Sequence, residues 1–171
     1  MRKTKKRLPR PAHETKRGTY YVGKTEDLLT NKAFEKRYAG KIDLILTSPP
    51  FPLNNKKRYG NLRGDAYLKW ITDLAPKLEN LLSPKGSLVI EIGNCWQAGR
   101  PVQSLLPLKT LLALASREEK GGLRLIQEFV CYNPSRLPSP AQWVTVNRLR
   151  AVDSYTHVWW LSKIPDWTNH L

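Results

Sequence analysis

The sequence predicts an α/β domain, and two observations carry that expectation. From Thr19 onward, short apolar runs alternate with longer stretches of helical periodicity. Among them, residues 42–46 (IDLIL) form a continuous β-branched and aliphatic run, the composition of a strand buried on both faces. With 171 residues, 40% of them hydrophobic and 25% charged, the chain can build one sizeable core.

Each element follows from local pattern. Residues 1–18 join a run of basic side chains to Pro9 and Pro11 without apolar periodicity, so a disordered basic tail is expected. Residues 19–22 read as a strand, and Gly23 turns the chain into a short helix over 25–32. The strand at 42–46 stops abruptly at Thr47-Ser48-Pro49-Pro50-Phe51-Pro52. Asp65 opens a helix with Leu68, Ile71, Leu74, Ala75, Leu78, Leu81 and Leu82 on one stripe, which Pro76 is expected to kink or split. Ser83-Pro84-Lys85-Gly86 reads as a turn before a second buried strand at 87–92 (SLVIEI). An amphipathic helix over 103–116 and strands at 123–132 and 154–162 complete the pattern, with a Pro-rich loop between those two strands.

Lys and Arg number 29 against 14 Asp and Glu, a net charge of +15 and a pI near 10.0. That balance disfavours an enzyme of neutral small molecules and points to nucleic acid. Arg2, Lys3, Lys5, Lys6, Arg7, Arg10, Lys16 and Arg17 concentrate charge in the tail, which adds phosphate affinity without sequence selectivity. Cys95 and Cys131 have no CxxC pairing and no His at ligand spacing, so neither a zinc site nor a disulfide is expected, and both read as buried thiols. No apolar stretch has the length of a membrane span and none follows the basic N-terminus, the pattern of a cytosolic protein.

The chemistry is carried by Thr47-Ser48-Pro49-Pro50-Phe51, directly after a buried strand. In open α/β sheets ligands bind just beyond the carboxyl ends of strands, so an active site is expected here. Each proline fixes φ and holds the residue before it extended, which sets the directions of the backbone carbonyls. A rigid carbonyl, a hydroxyl and an aromatic ring are thus grouped within four residues. The group suits methyl transfer to an exocyclic amine, whose nitrogen is a poor nucleophile because its lone pair is delocalised into the base ring. Hydrogen bonds from its two N–H protons to the Ser48 hydroxyl and the Pro49 carbonyl would draw the nitrogen towards tetrahedral geometry and turn the lone pair to an incoming methyl. Phe51 would stack on the base, which must be flipped from a duplex to enter such a pocket.

Further blocks extend the pattern. Asp43-Leu44-Ile45-Leu46-Thr47 runs into the SPPF tetrapeptide, followed by Tyr59-Gly60-Asn61 and by Pro84-Lys85-Gly86-Ser87 with the strand ending in Glu91. Tyr132-Asn133-Pro134-Ser135-Arg136-Leu137-Pro138-Ser139-Pro140 comes next, with Trp143, Arg148 and Arg150, then Asp153 and Trp159-Trp160-Leu161-Ser162-Lys163. With these blocks the sequence resembles the amino-methylating DNA methyltransferases, specifically the PvuII-type cytosine-N4 enzymes of the permuted (beta) class, over nearly all of residues 19–171.

The resemblance implies a Rossmann-like S-adenosylmethionine-dependent methyltransferase fold, with S-adenosylmethionine as methyl donor, duplex DNA as acceptor and no metal. It implies site-specific methylation of cytosine N4, as in a restriction-modification system. Ser48, Pro49, Pro50 and Phe51 would be catalytic, and Glu91 would assist amine deprotonation or hold the base. Gly23, Thr47 and Ser48 would contribute to the cofactor site. Asn133, Arg148 and Arg150 would face DNA, as would Trp143, a wedge or stacking residue unless it is a core tryptophan. Lys56-Lys57-Arg58-Tyr59 alternates charge with an aromatic and would clamp phosphates over the flipped base. Trp159 and Trp160 read as core.

The sequence departs from the family at the donor. The permuted class carries a glycine-rich FxGxG-like loop after its target-recognition region, and no such loop occurs up to Leu171. Val22-Gly23-Lys24-Thr25-Glu26-Asp27 resembles a neighbouring short motif, with Lys24 where an acidic residue is usual. The chain is therefore expected to be the catalytic half of the sheet, its strands four to seven, working with a second fragment or chain that carries the donor loop. The alternatives are an adenine-N6 enzyme, which more often has an acidic residue or Asn in place of Ser48 and Tyr in place of Phe51, and a basic nucleic-acid-binding protein without catalysis.

Overall fold

The computed structural model describes residues 7–52, 60–116 and 122–163. It begins with an antiparallel hairpin, β1 (His13–Glu14) against β2 (Thr19–Tyr20), in which the Thr15 hydroxyl accepts from the amides of Arg17 and Gly18. Part of the expected tail is thereby paired, through a local side-chain turn that charge and proline content do not reveal. Two short helices follow, α1 (Thr25–Leu29) and α2 (Lys32–Tyr38), where the sequence suggests one. Asn31 divides them, because its side chain caps α2 by accepting from the amides of Ala33 and Phe34.

The body comprises β3 (Ile42–Thr47), α3 (Gly64–Leu81), β4 (Leu82–Gly93), α4 (Leu106–Ala115), β5 (Arg124–Tyr132), a π-helical turn (Gln142–Val146) and β6 (Tyr155–Ser162). The four strands order as β3-β4-β6-β5, with β3 parallel to β4 and β6 antiparallel to both of its neighbours. The expected adjacency of 42–46 and 87–92, and the antiparallel strand among the last two, are both present.

Pro76 does not break α3. A proline inside a helix costs about 3 kcal/mol through a lost hydrogen bond and a crowded turn. Leu74, Ala75 and Leu78, which flank it, are buried in the main core, and burying one large apolar side chain returns ~1.5–3 kcal/mol. Burial therefore wins. β4 likewise begins at Leu82, ahead of the expected strand. Ile42 pairs with Leu82 and Leu44 with Ser87, so the residues read as a turn form a bulge within the strand. Gly86 makes this possible, since a Cβ there would lie 2.6 Å from the Ile42 carbonyl oxygen.

Alternation along β4 gives the sheet two unlike faces. Leu88, Ile90 and Ile92, with Trp159 and Leu161 of β6, pack fully buried with Ile71, Leu74 and Leu78 of α3 and Leu114 of α4. The opposite face carries Leu44, Leu46, Val89, Glu91, Val158 and Phe129. That face is open: Leu44 is 57% and Leu46 73% exposed. Among the described residues, a strand with the composition of a doubly buried element is thus a sheet edge with an uncovered face. Among the described residues, no helix is long and apolar enough to cross a membrane.

Candidate functional site

Because β3 and β4 run in parallel, their carboxyl ends adjoin, with Thr47 opposite Ile90. Ser48 and Glu91 take the next step along the same two strands. The two prolines then carry the chain across the end of β4, and the Phe51 ring comes to rest on Gly93. A Cβ on Gly93 would lie 2.5 Å from Cδ2 and 2.6 Å from Cε2 of that ring. By alternation this vacant position faces the same side as the Glu91 side chain, about 7 Å further back along the strand. Ring and carboxylate therefore share the open face. Thr156, paired with Gly93, donates from Oγ1 to Glu91 Oε1 at 2.7 Å and orients the carboxylate.

Exposure separates the members of the tetrapeptide. Ser48 and Pro50 are exposed, Pro49 and Phe51 half-buried, and the following Pro52 buried. The hydroxyl is open to a ligand while the ring is anchored. Thr47 is half-buried in β3. Gly23 stands just before α1, which is tied to α3 by the Trp70 indole donating to Glu26 Oε1 at 2.8 Å.

Beside this end of the sheet runs a chain of hydrogen bonds that the sequence reading does not assemble. Buried Asn94 donates to Asp153 Oδ1 (3.0 Å) and to the Tyr155 carbonyl (3.3 Å), and its Oδ1 accepts from Gln103 Nε2 (3.0 Å). His157 Nε2 is hydrogen-bonded to Asn94 Oδ1 (3.1 Å) and His157 Nδ1 to Glu128 Oε1 (2.6 Å). Both ring nitrogens therefore face side-chain oxygens. The hydrogen bond from His157 is the main reason that the Glu128 carboxyl is held below the usual carboxylate range; burial opposes it, and the Trp159 indole at 3.2 Å adds to it. Arg136 closes the chain on Asp153 Oδ2 (3.0 Å) and the Tyr155 carbonyl (2.9 Å). The available signal is a Glu and a His set among apolar residues in two successive strands, β5 and β6.

The Pro-rich loop sits on this chain. The Asn133 amide donates to the Ser154 carbonyl (2.7 Å), and Asn133 Oδ1 accepts from the Ser135 amide (3.1 Å). Trp143 lies half-buried in the π-helical turn. Arg148 is exposed, with φ 51° and no partner for its guanidinium among the described residues. Arg150 instead stacks over Trp96, its Cζ 3.5 Å from the ring centroid. Lys56, Lys57, Arg58 and Tyr59 lie outside the described residues. Trp159 is core, while half-buried Trp160 donates from its indole to Ser87 Oγ (2.9 Å). Cys95 is buried, which pushes its thiol up. Cys131 corrects an expectation, being exposed because β5 is the other edge strand and Cys131 lies on its open face.

A family model for N6 and N4 enzymes, described as DNA methylase, matches residues 42–170. Over 154 residues the chain is 36% identical to the type II methyltransferase M.PvuII of Proteus hauseri, covering 90% of this chain and 44% of that protein. The solved PvuII DNA methyltransferase (cytosine-N4-specific) superposes with a TM-score of 0.73 at 35% identity, over 90% of this chain and 52% of that one. A protein from Thermus thermophilus assigned as a DNA modification methylase, solved in complex with S-adenosyl-L-methionine, is 18% identical with a TM-score of 0.50, over 77% of this chain and 51% of that one. At that identity the likeness shows the fold alone. The chain spans about half the length of the relatives it matches.

Proposed function

The chain belongs to the N6/N4 DNA methylase family, and from that membership we propose that it supplies the base-holding half of a cytosine-N4 DNA methyltransferase acting on duplex DNA. The seat of Phe51 on Gly93 carries this reading, because it groups the Ser48 hydroxyl, the Pro49 carbonyl, an aromatic ring and the Glu91 carboxylate at the shared end of β3 and β4. In this reading Ser48 and Pro49 accept the two N–H hydrogens of the target amine, and Phe51 stacks on the flipped base. Glu91, steadied by Thr156, accepts the proton that the amine loses or holds the base edge. Asn133, Trp143 and Arg148 border the DNA, and Lys56 to Tyr59 follow the catalytic loop as phosphate contacts. Site-specific modification within a restriction-modification system is the accompanying role.

S-adenosylmethionine is the donor implied by the family, and when bound it supplies an electrophilic methyl group. The described residues fit only the methyl end of such a molecule, through Thr47 and Ser48. A donor's adenosine needs close backbone approach at the carboxyl end of a sheet strand, which glycine allows. Gly93 stands at such an end but lies under Phe51, and Gly23 follows a strand of the separate hairpin. We assign the adenosine side to a second segment, on another chain or on a longer form of this one, that pairs with the open edge of β3.

The test is to incubate the chain with duplex DNA and radiolabelled S-adenosylmethionine, alone and with the remaining half of the PvuII methyltransferase. Label is expected only in the mixture, as N4-methylcytosine, and Ser48→Ala should lower kcat more than DNA affinity. N6-methyladenine in the digest would transfer the reading to adenine. DNA binding without incorporation in any mixture would favour a binding protein, and strong incorporation by the chain alone would end the half-enzyme assignment.

A further inference from the structure

We infer that Arg150 is a positioning residue that pins the Pro-rich loop to the end of β4, and that Arg148, two residues away, is the one that meets the DNA backbone. Only the DNA-facing part of this inference rests on the function proposed above. The Arg150 guanidinium is engaged on its face and through both Nη atoms. Trp96 lies under it at 3.5 Å, Nη2 donates to the Ser139 carbonyl, Nη1 donates to the Ala151 carbonyl at 3.1 Å, and Nε is buried without a hydrogen-bond partner among the described residues, out of reach of a ligand. A group held in this way has little left to offer a phosphate.

The contacts also explain what is held. Trp96 follows β4 by three residues and is bridged to Gln103, which donates to Asn94. Arg150 therefore ties Ser139 to the segment that leaves β4 beside Gly93 and Phe51. Asp153, bound by both Asn94 and Arg136, ties down the residues just beyond. Between these ties the chain closes on itself, with the Trp143 amide donating to the Pro140 carbonyl (3.2 Å) and the Leu149 amide to the Trp143 carbonyl (2.8 Å). Arg148 lies in this closed loop with its guanidinium unpartnered among the described residues. Lysine at position 150 would keep the charge but lose the planar group that stacks and forks.

Salt titration of binding to a nonspecific duplex separates the two arginines. Arg148→Ala should lower the slope of log affinity against log salt by about 0.9, whereas Arg150→Ala should leave the slope unchanged. Hydrogen exchange tests the pin without DNA. In Arg150→Ala the amides of Trp143, Asn147 and Leu149 should exchange about tenfold faster, matching the loss of a desolvated cation–π contact, with β4 and β6 unaffected. Trp96→Ala should do the same, the double variant should add nothing, and Arg150→Lys should not restore protection. A slope loss of about 0.9 in Arg150→Ala, unchanged loop protection in that variant, or rescue by lysine would overturn the inference. If the wild-type chain binds no duplex at any salt, the methyltransferase reading fails while hydrogen exchange still decides the pin.

Discussion

Phe51, in the loop after β3, meets Gly93 at the end of β4, and the shape of the candidate site depends on that meeting. The tetrapeptide is legible in sequence because two prolines and the end of an apolar strand mark it. Its floor is not, since Gly93 is distant along the chain and only the parallel pairing of β3 with β4 brings it underneath. Gly93→Ala should force the ring off its seat, because no Cβ tolerates a carbon at 2.5 Å. In the complemented enzyme the expected loss is roughly 100-fold in kcat, the cost of misplacing a reacting group by about 1 Å. Urea midpoints of the variant, read separately, keep this apart from unfolding. An unchanged kcat would mean that the ring does not position the base.

At the scale of elements, β5 and β6 are joined by their ladder and by the Glu128–His157 hydrogen bond. The folded Glu128 carboxyl lies below its unfolded value, so its contribution is present above the unfolded pKa and is lost as pH falls through the folded one. Glu128 is about half exposed, which limits the effect to less than ~1 kcal/mol. Urea unfolding at pH 7 and pH 3 should show Glu128→Gln less stable than wild type at the higher pH, with a smaller gap at the lower. A gap that persists unchanged at pH 3 would assign the effect to packing. The same strands show why pattern reading falls short on polar groups: Glu128 and His157 look like solvent-facing residues until register places them diagonally across the β5–β6 pair.

At the scale of the whole molecule, the open face and the edge of β3, unpaired among the described residues, are the largest departure from a finished α/β sheet. A parallel strand with this composition ordinarily has neighbours on both sides and layers on both faces. Leu46→Lys should change the stability of the chain by no more than ~0.5 kcal/mol, because the side chain is 73% exposed. It should nevertheless prevent complementation by the donor-bearing segment, since an unpaired charge would be buried where that segment docks. Co-purification with the PvuII methyltransferase half is the direct readout, and undiminished capture by Leu46→Lys would place the docking surface elsewhere.

Sequence alone determined the α/β class, the order of the main elements and the position of the SPPF loop, because apolar periodicity and proline are local properties that survive without tertiary contacts. It also indicated a nucleic-acid partner, since net charge is a sum that needs no fold. Tertiary structure decided what depends on register and competing burial. It kept α3 whole across Pro76, extended β4 through a bulge over Gly86, seated Phe51 on Gly93 and left Leu44 and Leu46 uncovered. It also gave Arg148 and Arg150, two equivalent cations in sequence, different surroundings. The physical reason is the same throughout: a side chain's role is set by what lies within a few ångströms, and those neighbours come from other strands.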